Sequence, residues 1–257
     1  MLSFSEAAVQ AALGSLLWPF VRALAMISTA PVFGHRAIPA RVKVVLSLLI
    51  ALLIAPSLPS VPVDAFSLNG LLLLLQQILV GACMGFGLRA IFASFEVAGD
   101  LIGLQMGLGF ASFLDPARGT PSPLLATCFV MLAMLVFMAT DGHLNLLFML
   151  SESFTLIPVS AQPLAGLDWM QLAGLGAVVF ALGLQIALPV LAAVLAINIA
   201  MGFMSRSAPQ FSIFNLGFAI TLMAGMIFLW LALSVLAVPF ERVTGIAVPY
   251  FRSAVAP

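Results

Sequence analysis

Long apolar stretches are the feature of this sequence that most restricts what it can fold into. A helix that crosses the roughly 30 Å hydrocarbon core of a membrane needs about 20 predominantly apolar residues. Four stretches meet that requirement, at residues 7–33, 68–95, 172–204 and 212–240. Only 7% of the residues are charged, whereas a soluble domain carries about 25%. A soluble fold of this composition would expose large apolar patches and aggregate. The sequence therefore predicts an all-α, polytopic helical membrane protein.

Other apolar segments fit a spanning helix poorly. Residues 44–55 end at a proline, and at about 1.5 Å per residue they would cover only about 18 Å. Residues 97–114 contain Asp100, Gln105 and four glycines. Residues 124–140 and 144–157 are separated by an Asp-Gly-His sequence. Broken and glycine-rich helices are tolerated at membrane depth only where protein or water surrounds them. We therefore expect the middle of the chain to be buried in an assembly.

Prolines mark the predicted loops and one predicted kink. They cluster at residues 56–62, 116–123 and 158–163, and each cluster should end a helix. Pro189 lies inside the long apolar stretch 172–204 and should kink it.

Basic residues in short loops predict the orientation, because Arg and Lys accumulate on the cytoplasmic side. Arg36, Arg41 and Lys43 place the first loop in the cytoplasm, and Arg206 places the turn at 205–210 there too. Two arginines near the carboxyl terminus then fall on the opposite side, against this rule.

The sequence predicts neither a cleavable signal peptide nor a metal site. The first six residues lack a basic region and the apolar run continues past signal length, so we expect a retained helix. Cys83 and Cys128 each lie alone in an apolar run, which predicts neither a disulfide nor a metal site. His143 follows an Asp-Gly turn and should start a helix, while His35 should be solvated. We expect no cofactor.

Four charged residues interrupt the apolar stretches. Arg22 is costly at membrane depth and marks function by default, with a salt bridge to another helix or subunit as the alternative. Glu96 and Asp100 are four residues apart and share a helix face. They could form an acid/base pair, bind a cation, line a wet cavity or pair with basic groups of a neighbour. Arg89 lies on the same face as Glu96 but two turns away, too far for a direct pair.

The sequence contains no motif of an enzyme active site that we recognise. It lacks HExxH, GxSxG and GxxxxGK[ST], and no histidine lies within four residues of a glutamate. We therefore predict a protein without catalytic residues.

Glycines at helical spacing form two small-residue faces, which let helix backbones approach closely in membranes. The first face contains Gly81, Gly85 and Gly87, and the second contains Gly99, Gly103 and Gly107. We interpret both as assembly surfaces.

The segment 106–116 is apolar, aromatic and glycine-containing, and a proline-rich polar loop follows it. Met106, Phe110 and Phe113 precede Asp115 within it. A ring of large apolar side chains can close a pore by dewetting it. The alternative, that Phe110 and Phe113 simply pack in a core, is equally open on these residues alone.

Several motifs, taken in order, resemble the FliR family of flagellar export proteins, and more distantly its counterparts in virulence type III secretion. The resemblance covers essentially the whole chain. It rests on Arg22, Ala30-Pro31-Val32-Phe33, Ile38-Pro39-Ala40-Arg41-Val42-Lys43, the segment 96–116, Ala187-Leu188-Pro189-Val190, Asn198, Ser205-Arg206-Ser207-Ala208-Pro209-Gln210 and Phe214-Asn215-Leu216-Gly217.

The resemblance implies a core subunit of an export gate in the bacterial inner membrane, at the flagellar basal body. Members of this family join FliP and FliQ, FlhB packs against the complex, and FlhA completes the machine. Unfolded flagellar subunits pass through the centre, driven by the proton-motive force and an associated ATPase. The complex is lifted partly out of the membrane plane, which would account for short and broken helices.

The resemblance also implies an internal organisation for a single membrane domain, residues 1–257. Residues 1–167 would be FliP-like, with a central plug loop at about 106–122. Residues 168–257 would form a FliQ-like hairpin and tail, and Arg206, Pro209 and Gln210 in its turn would meet FlhB. Met106, Phe110, Phe113 and Asp115 would belong to the plug.

Two rival functions stay open at this point. One is the export-gate subunit of a virulence system, with the same mechanism and different cargo. The other is a secondary transporter for a small solute, in which Arg22, Glu96 and Asp100 bind a substrate and a proton. Inverted repeats would favour a transporter, and we find no convincing repeat between the halves.

Overall fold

All the regular structure described for this chain is helical. The computed structural model describes residues 6–58, 67–108, 124–159, 169–207, 217–233 and 240–241, with side chains from residue 15 onward except at 169, 171 and 172. The helices are α1 (Glu6–Thr29), α2 (Ala40–Ile54), a 3₁₀ turn (Ala55–Ser57), α3 (Leu68–Gln105), α4 (Leu124–Ala139), α5 (Gly142–Leu156), α6 (Trp169–Ser207) and α7 (Phe218–Leu233). The predicted all-α class is confirmed.

Three of these helical segments are long and apolar enough to cross a membrane. They are Ala40–Ser57, Leu68–Gln105 and Ala173–Ser207. The pair α4 and α5 is long and apolar enough only when taken together, and its 71° bend makes it a broken span or a re-entrant loop. The chain is a helical membrane protein, and its many large apolar side chains that face outward are suited to lipid or to other subunits.

Helix α3 is longer than the sequence predicted. The expected break near residue 96 is absent, and α3 runs for 38 residues from Leu68 to Gln105. No proline occurs between Pro62 and Pro116, and polar side chains on an exposed edge do not interrupt a helix. At about 1.5 Å per residue, α3 is about 57 Å long, well beyond the thickness of a hydrocarbon core.

Helix α2 also begins earlier than predicted. Pro39 precedes its first turn, so Arg41 and Lys43 lie in the helix and not in the loop before it. The 3₁₀ turn Ala55–Ser57 continues it and holds Pro56 near its start, where proline's missing N–H costs nothing. The prediction that residues 44–55 are too short to cross a membrane was wrong, because α2 and the 3₁₀ turn together have 18 residues.

The predicted break between α4 and α5 is confirmed. Asp141 separates the two helices with φ 55° and ψ 28°, in the left-handed region. His143 is the second residue of α5, as expected for a residue that starts a helix. Helix α5 ends at Leu156, just before Pro158, and α6 continues through Pro189 without a break in its helical assignment.

The chain forms two compact contact units that are discontinuous in sequence. The first contains α1, α2, α3 up to Ala90, α5 and the start of α6, and the second contains α3 from Ile91, α4, the rest of α6 and α7. The sequence division at residue 168 came from the resemblance alone and stays a prediction.

Each contact unit is built on part of α3. In the first, α3 packs against the buried face of α1, which includes Trp18, Met26 and Ile27. In the second, Phe92 packs edge-on against Phe137 of α4 at 5.7 Å between ring centroids, and Phe95 lies 5.8 Å from Phe240. Aromatic pairs in such geometries each stabilise a fold by about 0.5–1.5 kcal/mol beyond burial.

Candidate functional site

Arg22 lies at the centre of the first contact unit and is fully buried. Its Nε donates to Oε1 of Gln77 on α3 at 2.7 Å. Its Nη1 donates to the carbonyl oxygen and the hydroxyl of Ser153 on α5, at 2.9 and 3.0 Å. Its Nη2 donates to the carbonyl oxygen of Ile157 at 3.0 Å. One guanidinium therefore joins α1, α3 and the end of α5.

Neutral groups supply all four of these acceptors. The carbonyls of Ser153 and Ile157 lie at the carboxyl end of α5, where the helix dipole is negative and unpaired carbonyls need donors. The ring of Phe154 adds a cation–π contact, with its centroid 4.0 Å from the guanidinium carbon of Arg22. The described partners therefore form a cage of oxygens and one ring in place of the expected salt bridge.

A small cavity lies one turn away from Arg22 along α1. Its volume is about 40 Å³, and its lining includes Trp18, Phe154 and Leu58. Trp18 is 2% exposed, and its Nε1 meets no acceptor in the part of the chain that the structure describes. The cage around Arg22 is thus bordered by a buried donor that finds no acceptor among the described residues.

The first glycine face is a close contact between α3 and α1. A β-carbon added at Gly81 would collide with the carbonyl oxygen of Arg22 and lie 2.9 Å from Cβ of Ala25. One added at Gly85 would collide with Oγ1 of Thr29. These two glycines let the α1 backbone approach α3, and that approach brings Arg22 within reach of Gln77.

The second glycine face is uneven. A β-carbon at Gly99 would lie 2.5 Å from Cα and 2.6 Å from the nitrogen of Ala126, so the α4 backbone fills that space. At Gly103 the nearest atom, Cδ1 of Leu125, is 3.8 Å away, an ordinary contact. Among the described residues, packing therefore requires glycine at position 99 and leaves room for a β-carbon at position 103.

Gly107 ends α3. Its φ is 77°, a left-handed conformation that glycine adopts without strain. Its N–H bonds to the carbonyl of Leu104 at 3.1 Å, and the N–H of Leu108 bonds to that of Gly103 at 3.0 Å. This pair of bonds is the Schellman pattern of helix termination. Gly107 therefore has a different task from the packing glycine expected at this position.

Sequence reasoning missed two glycines on the other helices of the second unit. A β-carbon at Gly183 of α6 would lie 2.9 Å from the carbonyl oxygen of Ser94 and 2.8 Å from Cγ1 of Val97. Gly225 of α7 faces the buried side chain of Met106. Each stands in a long apolar run, and the signal that could have found Gly225 is the four-residue spacing of Thr221, Gly225 and Leu229.

The remaining predicted charges lie on the surface of α3. Arg89, Glu96 and Asp100 are all exposed, and Leu104, one turn after Asp100, is 70% exposed. Within the described residues, no group of three or more His, Cys, Asp or Glu side chains could hold a metal ion. His35 is exposed, as expected, and its Nδ1 accepts from the Ala37 N–H at 3.2 Å.

Several predicted site residues fall outside the described residues. They are Phe110, Phe113 and Asp115 of the predicted plug, and Pro209 and Gln210 of the predicted turn. Arg206 is exposed in the last turn of α6, where a basic side chain suits the helix dipole. The roles assigned to the plug residues and to the turn residues stay predictions.

Comparison with known proteins identifies the family. The family described as "Bacterial export proteins, family 1" matches residues 13–246. The chain belongs to this family. It is 45% identical to the flagellar biosynthetic protein FliR of Pectobacterium carotovorum subsp. carotovorum over 242 residues, which is 94% of this chain and 92% of that protein.

Other members of bacterial export family 1 are similar over the same extent. The FliR protein of Escherichia coli (strain K12) is 45% identical over 223 residues, covering 87% of this chain and 85% of that protein. The FliR protein of Bacillus subtilis (strain 168) is 28% identical, covering 94% and 95%. The resemblance to the FliR family is confirmed, and the family is one of bacterial export proteins.

Proposed function

We propose that this chain is a core subunit of the flagellar type III protein-export gate, at the basal body in the bacterial inner membrane. The observation that carries the proposal is its 45% identity to a flagellar FliR protein across 94% of the chain. The flagellar names of the similar proteins favour this role over the homologous subunit of a virulence system.

The gate is a hetero-oligomer with FliP-like and FliQ-like subunits. Two features of the chain support such an assembly. Large apolar side chains face outward over α2, α6 and α7, including Leu53 at 81% and Trp230 at 72% exposure. Glu96 and Asp100 face outward from an apolar helix, and carboxylates facing hydrocarbon are costly. Water in a channel or basic groups of a partner subunit removes that cost.

Each contact unit is held together by contacts of its own. The Arg22 cage fixes α1, α3 and α5 in the first unit, and the glycine contacts fix α4, α6 and α7 on α3 in the second. The plug follows Gly107 directly and includes Phe110 and Phe113. Unfolded flagellar subunits would pass where it lies. Arg206 with its turn would meet the FlhB-like component, and an FlhA-like component would complete the machine.

Co-purification from native membranes tests this proposal. A tagged copy of the chain should bring down FliP-like and FliQ-like subunits, identified by mass spectrometry, and should restore motility to a strain that lacks the gene. Recovery with injectisome subunits would assign it to the virulence branch. A stable chain that elutes alone and restores nothing would contradict the proposal, and solute uptake in liposomes would then test the transporter hypothesis.

A further inference from the structure

The carboxyl end of α3 is fixed from two directions. From within, the Schellman bonds at Gly107 and Leu108 end the helix at a defined residue. From outside, Met106 is 1% exposed, so neighbouring groups of the second unit enclose its side chain. An end held only by its own hydrogen bonds could fray, whereas an end with a buried side chain cannot leave its place without opening a cavity.

Met106 is held by a notch in α7. A β-carbon at Gly225 would lie 2.6 Å from Cγ, 2.7 Å from Cε and 2.8 Å from Sδ of Met106. Cγ, Sδ and Cε of Met106 therefore occupy the space that the β-carbon of any other residue at position 225 would need. Gly225 lies between Thr221 and Leu229 on the buried edge of α7, one turn from each. The notch therefore lies on the edge of α7 that is buried in the second unit.

A flexible side chain can often move away from an added β-carbon, but Met106 is almost fully buried, so its side chain has little open space to move into. Methionine is unbranched and flexible, so it can lie along a helix backbone where a branched side chain would collide. Glycine is the residue that exposes such a backbone. Met106 directly precedes Gly107, which ends α3, and it packs against Gly225 of α7. This contact fixes the axial position and the rotation of the α3 end relative to α7.

We propose that Met106 is a positioning residue: seated against Gly225, it ties the end of α3 to α7 and sets where the chain leaves α3 after Gly107. This inference rests on the proposed function for its consequence, because the departing chain is the predicted plug. It changes the role of Met106, which the sequence placed in the plug itself. It also gives the carboxyl-terminal hairpin a part in the tightness of the resting gate.

The test compares alanine substitutions in the assembled complex. Gly225→Ala places a methyl group against Met106, and Met106→Ala removes the side chain from the notch. The control is Gly176→Ala on α6, where an added β-carbon meets nothing within 4 Å. Both glycine substitutions gain the same helix propensity. The readouts are the amount of FliP-like subunit that co-purifies, the ion leak of resting cells and the export of flagellar subunits.

The proposal predicts a leak without loss of assembly. Gly225→Ala should raise the resting leak roughly tenfold, as a coupling of ordinary size between two packed residues would give. The double variant Met106→Ala with Gly225→Ala should leak less than Gly225→Ala alone, because the truncated residue leaves room for the methyl group. Gly176→Ala should match the parent in all three readouts. A purely structural role would change assembly and leak together.

Two results would overturn the proposal. One is a Gly225→Ala variant that behaves like Gly176→Ala. The other is a Met106→Ala variant that leaves leak and export at parental levels. If Gly225→Ala fails to assemble, Met106→Ala alone tests the proposal, because truncating a side chain adds no clash. Failure of the proposed function looks different, because then the parent itself would neither restore motility nor bring down FliP-like subunits.

Discussion

Nε of Arg22 donates to Oε1 of Gln77 across 55 residues of sequence, at 2.7 Å, with both side chains buried. The bond holds because the small faces of Gly81 and Gly85 bring α1 against α3. It follows that the charge and the glycines form one feature, and that changing either should affect the other.

Replacing Arg22 by lysine tests the cage. A lysine ammonium is a point charge without the planar fork of arginine, so it cannot serve Gln77 and two α5 carbonyls at once. We expect Arg22→Lys to lower the free energy of unfolding by about 1.5–3 kcal/mol, the value of one hydrogen bond to a charged group. Scanning fluorimetry of the purified complex measures this. Adding Gln77→Leu to Arg22→Met should recover stability relative to Arg22→Met alone, and no recovery would show that the cage is not a coupled unit.

Gly99 and Gly103 give a matched pair on one helix. Gly99→Ala should cost about 1–3 kcal/mol by overpacking against the Ala126 backbone. Gly103→Ala meets only Leu125 at 3.8 Å and should be neutral or stabilise α3 by up to about 1 kcal/mol through helix propensity. Thermal denaturation of the two variants in the same detergent separates them. Equal destabilisation would contradict the packing described for α4.

Replacing Trp18 by phenylalanine tests whether its buried N–H has a hydrogen-bond partner. The substitution removes an N–H that meets no acceptor among the described residues, and this gain offsets the cavity left by the smaller ring, so stability should change little or rise. A loss of about 1 kcal/mol would instead show that Nε1 has a hydrogen-bond partner. Resonance Raman difference spectra between parent and variant report the same point, because the indole N–H vibration shifts when the group is bonded.

Asp141 tests the break between α4 and α5. Its left-handed conformation costs a residue with a β-carbon roughly 1–2 kcal/mol, although aspartate tolerates it better than most. Asp141→Gly should therefore be neutral or stabilising. Asp141→Val should lower the free energy of unfolding by more than about 1 kcal/mol. The yield and melting temperature of the purified complex measure both. If valine were tolerated as well as glycine, the break would adopt another conformation.

Replacing Phe110 and Phe113 by alanine tests the predicted plug. Loss of two large apolar side chains should let water into the pore, so resting cells should leak ions. The control removes two exposed rings from elsewhere in the chain, by Phe148→Ala and Phe180→Ala. A double plug variant as tight as its parent would place the seal on other subunits.

The local parts of the fold could be predicted and the long-range parts could not. The break at Asp141 and the end of α5 before Pro158 follow from residues that act on their own backbone. The continuity of α3 was missed because the polar side chains and glycines of residues 97–114 fit a spanning helix poorly. In the structure Glu96 and Asp100 lie on an exposed edge of one helix, and Gly81, Gly85 and Gly99 lie on its packed edge.

The site was missed for a different physical reason. The charge of Arg22 is visible in the sequence, but its partners Gln77 and Ser153 are ordinary polar residues whose importance comes from distant contacts. The notches at Gly183 and Gly225 depend on what faces them, Val97 and Met106, and no local pattern carries that information.

The order in which the chain is made gives the Arg22 cage a further consequence. Ser153 follows Arg22 by 131 residues, and at roughly 5–20 residues per second its synthesis comes about 7–26 s later. During that interval α1 has left the ribosome with a guanidinium whose α5 acceptors do not yet exist. Arg22 can therefore make its bonds to Ser153 and Ile157 only after α5 has been synthesised, so the cage forms late in the synthesis of the first contact unit.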